Sequence, residues 1–227
     1  MGKNKLARFE ENLRLPNVIQ PTRAEALDNF HLKGKWRSEI FKNENPIVVE
    51  LGCGKGEYSV GLARAFPEKN FIGIDIKGAR FWFGAKEATE KNMKNVAFLR
   101  TQIELLDCFF QENEVDEIWI TFPDPQIKYR RTKHRMTHPD FLERYRKVLK
   151  PEGIVHLKTD SEFLHGYTLG ILQGSGHEIL TAHHDIYGAP EYEPNTEHLR
   201  EIKTYYEELF SSKGKTITYI KFRFRQE

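Results

Sequence analysis

The sequence predicts an α/β fold built on a mostly parallel sheet. Three observations carry that expectation. Short apolar runs alternate with amphipathic stretches between residues 46 and 158, which is the pattern of consecutive βαβ units. The first run opens directly into a glycine-rich loop, Gly52-Cys53-Gly54-Lys55-Gly56. The last apolar run, 216–224 (Thr-Ile-Thr-Tyr-Ile-Lys-Phe-Arg-Phe), alternates in character, as strands do in antiparallel pairs.

Residues 1–45 are polar and lack sustained periodicity. They read as an N-terminal arm, partly flexible, ahead of a domain spanning 46–227. In that domain the strand candidates are 47–51, 71–75, 96–100, 117–121 and 154–158. Between them lie helix candidates at 57–66, 78–93 and 138–149. The last of these places Phe141, Leu142, Tyr145, Val148 and Leu149 on one stripe. Thr137 can cap it, Pro139 suits its first turn, and Pro151 with Gly153 ends it. A strand near 178–186, a Pro- and Glu-rich loop, a helix near 204–212 and the strand at 216–224 complete the chain. The final strand is expected to pair antiparallel at an edge. Seven strands result, and ligands in such sheets sit beyond the carboxyl ends of the parallel strands.

Composition narrows the function. The chain has 227 residues, 39% of them apolar, with 16 Phe, enough for a core. Charged residues make up 30% and the mean hydropathy is −0.63. No apolar run approaches the roughly 18–20 residues that span a bilayer, and the N-terminus lacks the apolar stretch of a secretory signal. A membrane partner is therefore not expected, and a cytoplasmic location is. Cys53 and Cys108 are the only cysteines, too few for a disulfide framework or a four-thiolate zinc site. His134 and His138, and the adjacent His183 and His184, lack the Cys or carboxylate neighbours of a zinc centre, so no metal is expected.

The net charge of +2 conceals basic blocks. Lys128, Arg130, Arg131, Lys133 and Arg135 follow one another without an acid. Lys213, Lys215, Lys221, Arg223 and Arg225 do the same near the C-terminus, and Lys3, Lys5 and Arg8 open the chain. Such blocks on a near-neutral protein point to a polyanion, although any single one also reads as a solvated loop.

In the glycine loop, Gly52, Gly54 and Gly56 permit positive φ and close ligand approach. The dinucleotide fingerprint requires Gly or Ala where Glu57 stands. Glu50, at the end of the preceding strand, would repel a pyrophosphate and suits a cationic ligand instead; otherwise its own turn must satisfy it. Asp75 closes the second strand, where an acid can accept ribose hydroxyls or cap the next helix. Gln102, after the third strand, can meet an adenine edge or be an ordinary loop residue. This pattern, ELGCGKG followed by GID and a third polar strand end, resembles class I S-adenosylmethionine-dependent methyltransferases. The resemblance implies S-adenosyl-L-methionine as cofactor. It also implies a Rossmann-like, mostly parallel seven-stranded sheet with helices on both faces and an antiparallel C-terminal strand.

Beyond the fourth strand comes Phe122-Pro123-Asp124-Pro125-Gln126-Ile127-Lys128. Two prolines stiffen the backbone around Asp124, and the first basic block follows at once. Alone, Pro-Asp-Pro reads as a tight turn. In this context the segment resembles the tRNA (guanine-N7-)-methyltransferase family of the bacterial single-chain type. Members of that family carry Pro-Asp-Pro-Trp-x-Lys and a basic run, and they modify a guanine in the tRNA variable loop. Leu157-Lys158-Thr159-Asp160 and Thr204-Tyr205-Tyr206-Glu207 match two further family motifs, so the likeness spans about residues 46–212.

That resemblance implies cofactor contacts from Glu50, Asp75, Gln102 and Asp124, with Asp124 also catalytic. It implies substrate contacts from Lys128, Asp160, Thr204 and Glu207, and RNA contacts from 130–135, including Arg130, Arg131, Lys133 and Arg135. Gln126 replaces the family Trp, and Tyr129 is one candidate substitute for stacking. Bland roles stand beside these: Thr204-x-x-Glu207 has capping-box spacing, Asp160 can cap a helix beginning near Ser161, and Lys128 can be a solvated cation. The partner implied is tRNA, met by a monomer or homodimer. Two other readings remain open, a methyltransferase acting on protein or another RNA site, and an RNA-binding module on the same fold.

Overall fold

The computed structural model describes residues 2–188 and 196–226. The chain begins with helix α1 (Gly2–Asn12), strand β1 (Val18–Ile19), helix α2 (Arg23–Leu27) and a π-helical turn at Trp36–Phe41. Next come β2 (Ile47–Leu51), α3 (Glu57–Ala65), β3 (Asn70–Ile74), α4 (Gly78–Glu90), β4 (Val96–Leu99), α5 (Leu106–Phe109) and β5 (Val115–Thr121). After a 3-10 segment at Tyr129–His134 follow α6 (Pro139–Val148), β6 (Leu149–Thr159), α7 (Glu162–Gly174) and β7 (Glu178–His183). The chain closes with α8 (His198–Glu201), α9 (Tyr205–Ser211) and β8 (Thr218–Arg223).

All eight strands join one sheet in the order β1-β4-β3-β2-β5-β6-β8-β7. The neighbours from β1 through β6 are parallel, and β8 runs antiparallel to both β6 and β7. Alternation along β2 explains the layering. Ile47, Val49 and Leu51 enter a core shared with Trp36, Leu106, Leu142 and Leu164. Val48 enters the opposite core with Tyr58, Leu62, Phe81 and Ala85. Helices therefore cover both faces, and Glu50 projects toward the face bearing α3.

Four expectations change. The strand at 216–224 does pair antiparallel, but it lies inside the sheet between β6 and β7, and β7 takes the edge. Its alternation reflects unequal cover on the two faces. Thr137 does not cap α6: its hydroxyl bonds Thr168 at 2.8 Å, and the His138 ring accepts from Asp140 N instead. Helix α6 ends at Val148, and Pro151 and Gly153 already lie within β6. An eighth, two-residue strand comes from the N-terminal segment.

That segment packs by scattered apolar residues. Phe30, Leu32, Trp36 and Phe41 are all buried, and Trp36 stacks on Phe110 at 5.4 Å. Helix α1 docks on α4, where Glu11 accepts from the Trp82 indole and from Lys86, and Asn12 donates to the Gly78 carbonyl. The hydrophobes are irregularly spaced because each meets a different neighbour, so they leave no periodic trace.

Candidate active site

Because β2, β3, β5 and β6 are parallel, the segments that leave them meet at one edge of the sheet. Gly52 follows β2, Asp75 follows β3, Asp124 lies beyond β5, and Asp160 follows β6. All four line one cavity of about 670 Å³. Thr204 lines it too.

The glycines divide by role. Gly52, Gly54 and Gly56 have φ of 76°, 57° and 79°, a region costly for other residues. A Cβ on Gly52 or Gly54 would meet no atom within 4 Å, whereas one on Gly56 would strike the Phe98 ring at 2.5 Å. The first two thus leave a cradle open to a ligand, and the third admits the packing of β4 beneath the loop. Loop position is held by β3, whose Ile74 carbonyl accepts from Gly52 N and Cys53 N at 2.8 and 2.9 Å. Asp75 adds a second tie, accepting from Gly54 N at 3.1 Å and from Lys77 N at 2.8 Å.

Glu50 is 3% exposed and lies beneath the cradle rather than in its wall. Its carboxyl accepts from the Ser59 hydroxyl at 2.5 Å and the Thr121 hydroxyl at 2.6 Å. Burial pushes its pKa up to about 7, against the opposing pull of those two hydroxyls. Thr121 itself lines the cavity, so the hydroxyl that donates to Glu50 belongs to a residue of the cavity wall.

Asp124 is exposed on a constrained turn. Its Oδ1 accepts from Gln126 N at 3.0 Å, and Phe122 and Gln126 on either side both hold φ of 47°. Lys128, Arg130 and Arg131 line an adjoining hollow that Asp124 shares. Gln126 faces the basic loop, where its Oε1 accepts from Arg131 Nε at 3.1 Å. Lys133 is exposed on the same 3-10 segment.

Other expected residues lie elsewhere. Arg135 is 5% exposed; its guanidinium sits between the Phe163 and Tyr167 rings, at 4.8 and 4.5 Å, and donates to the Gln126 carbonyl. It shapes the basic loop from below. Gln102 lies in a neighbouring cavity of about 220 Å³, whose wall includes Ile76, the residue after Asp75. Glu207 is fully buried, paired with Lys158 at 2.8 Å and accepting from Tyr187 at 2.7 Å. Thr204 caps α9 by accepting from Glu207 N at 3.1 Å, and the Glu207 side chain does not return the capping-box bond. Ser161, not Asp160, caps α7; Asp160 accepts from Lys215 at 2.7 Å. The C-terminal basic block is dispersed, since Arg223 pairs with Glu152 and Glu178 and Lys221 lines a separate hollow.

Sequence reasoning passed over several cavity residues. Arg8 of α1 reaches the wall and stacks over Trp82 and Phe83 at 5.0 and 4.4 Å. Lys55 bridges Phe83 at 6.0 Å and Tyr205 at 4.1 Å. Each had a partial signal, Arg8 in the opening basic block and Lys55 as the cation inside the glycine loop, but neither pointed to this cavity.

Fold and site together define a Rossmann-like class I methyltransferase. The fold agrees with solved structures. The 16S rRNA methyltransferase KamB superposes with a TM-score of 0.63 at 13% identity, covering 83% of this chain and 92% of that one. An antibiotic related methyltransferase gives 0.57 at 20% identity, covering 82% and 90%. The family model described as "Putative methyltransferase" matches residues 44–220. A tRNA (guanine-N(7)-)-methyltransferase of Christiangramia forsetii is 65% identical over 99% of both chains. Its namesake in Bacteroides fragilis is 52% identical over all of this chain and 88% of its own. This chain belongs to the tRNA (guanine-N7-)-methyltransferase family.

Proposed function

We propose that this protein transfers a methyl group from S-adenosyl-L-methionine to N7 of the variable-loop guanine of tRNA. One observation carries the reading: the open glycine cradle, Asp75 and Asp124 line a single cavity at the carboxyl edge of the sheet, and an exposed basic loop leaves that edge from Asp124.

The residues suit a cationic adenosyl cofactor. Gly52 and Gly54 give the backbone room for it. Asp75 presents a carboxylate where a ribose would lie, and the adenine would extend over Ile76 toward Gln102. Thr121, oriented by Glu50, offers lone pairs to an ammonium. S-adenosylmethionine supplies an electrophilic methyl on a sulfonium. Guanine N7 bears a free lone pair at neutral pH, so the N–C bond forms as the S–C bond breaks, sulfur keeps that electron pair, and no proton needs removal. Alignment and negative charge near the purine therefore do the work. Asp124 supplies that charge and can accept from guanine N1–H and N2–H, donors that adenine does not offer together.

Arg130, Arg131, Lys128 and Lys133 would hold phosphates around the extruded base. Asp160 and Thr204 border the acceptor side, while Arg135 and Glu207 act through the elements they brace. One chain lines the whole cavity, so a monomer or homodimer suffices, working in the cytoplasm where tRNA is modified.

Incubating the protein with unmodified tRNA and methyl-labelled cofactor, then mapping the nucleosides, tests the proposal. Label in 7-methylguanosine of the variable loop is expected. Label in an exocyclic amine or in protein would redirect the assignment, and no label in tRNA would end it.

A further inference from the structure

One wall of the cavity is aromatic. Tyr206 and Phe210 stand one turn apart on α9, with ring centroids 6.2 Å apart and planes 24° from parallel. Both line the cavity, and Tyr206 is 40% exposed. Neighbouring rings are already engaged. Lys55 covers Tyr205 at 4.1 Å, and Lys215 covers Phe210 at 4.8 Å. Among the described residues, no cation sits over the Tyr206 ring.

The wall is rigidly based. Glu207, next to Tyr206, carries the buried ion pair with Lys158 and accepts from Tyr187. Lys158 also donates to the Leu199 and Ile202 carbonyls, at 2.6 and 3.2 Å. The same ammonium thus ties β6 to the segment leading into α9. A half-exposed tyrosine on a fixed helix, in a cavity whose walls carry charged side chains and beside a basic loop, is matched to a flat ring with a π-face, and a splayed nucleobase is such a ring. Tyr129, the aromatic of the basic loop, is 93% exposed and lines neither the cavity nor its hollow.

We propose that Tyr206, braced by Phe210, is the platform on which the acceptor purine stacks. This rests on the reading that the acceptor is a guanine of RNA. Stacking would use the face of the purine and leave its polar edge to Asp124. The platform then supplies orientation, and the carboxylate supplies selection.

Two measurements decide it. The first is methyl transfer to unmodified tRNA by the wild type, Tyr206→Phe and Tyr206→Ala. The alanine variant should lose kcat/KM on the order of tenfold to a hundredfold, while the phenylalanine variant stays within about twofold. Cofactor affinity by calorimetry and the melting temperature should be the same in all three. An alanine variant as active as wild type overturns the platform. The second measurement needs no methylation: fluorine NMR of protein labelled with 3-fluorotyrosine, titrated with guanosine monophosphate. The signal lost in Tyr206→Phe identifies Tyr206. Its movement on nucleotide addition supports stacking, and an unmoved signal refutes it. If wild type labels no tRNA while that signal still moves, methyl transfer fails and the purine platform stands.

Discussion

Glu50 should make this protein less stable than it needs to be, for the sake of the ligand above it. The perturbation is Glu50→Gln. The wild-type carboxyl is raised from its ordinary 4.5 to about 7, with burial the dominant cause. Between those two pH values the folded state retains a proton that the unfolded chain has released. Stability therefore falls as pH rises through the window, and the full cost is present above pH 7. At about 1.4 kcal/mol per tenfold, the cost is about 1 kcal/mol at pH 5 and about 3 kcal/mol at pH 8. Glutamine is neutral throughout and nearly the same size. Its amide can accept from one of the Ser59 and Thr121 hydroxyls and donate to the other. Urea unfolding at pH 5 and pH 8 should therefore show the variant stabilised, and more so at pH 8 by about 2 kcal/mol. Cofactor affinity should move the opposite way, because the charge beneath Thr121 is gone. A variant destabilised equally at both pH values, or one that keeps the wild-type pH dependence, would show that Glu50 is not the titrating group.

Four other variants probe separate parts of the structure. Asp124→Asn should lower turnover at least tenfold, a modest electrostatic loss; cofactor affinity should fall less than turnover, and the unfolding midpoint should be unchanged, since the side chain is exposed. Combined Arg130→Glu and Arg131→Glu should weaken tRNA binding far more than cofactor binding and flatten the dependence of tRNA affinity on salt, as read by filter binding over a salt series. Lys158→Met should cost about 3–5 kcal/mol in urea unfolding, because Glu207 is left charged and buried without its partner. The double variant Lys158→Met, Glu207→Leu should recover part of that loss, and additive losses would contradict the pairing.

Much of the site could be read from the chain because a parallel sheet has a simple rule. Whatever follows each strand arrives at the same edge, so locating β2, β3 and β5 in sequence brings Gly52, Asp75 and Asp124 together without coordinates. Local motifs worked equally well where the cause was local: positive φ at the three glycines, and proline-stiffened backbone around Asp124. They failed where one residue had two uses. Thr204 and Glu207 have capping-box spacing, yet the hydroxyl caps and the carboxylate turns inward to Lys158, which lies 49 positions away in sequence.

The sequence alone therefore determined the fold class, the parallel order that makes a ligand edge, and the acids and glycines standing on it. Tertiary structure decided which charges are free. Arg135 lies between two rings, Arg223 is paired across the sheet, and Arg8 is delivered to the cavity by a helix whose docking on α4 is a contact between distant segments. Whether a side chain meets water, a partner or a ligand depends on contacts between distant segments. Those contacts are set by packing, which a one-dimensional pattern does not encode.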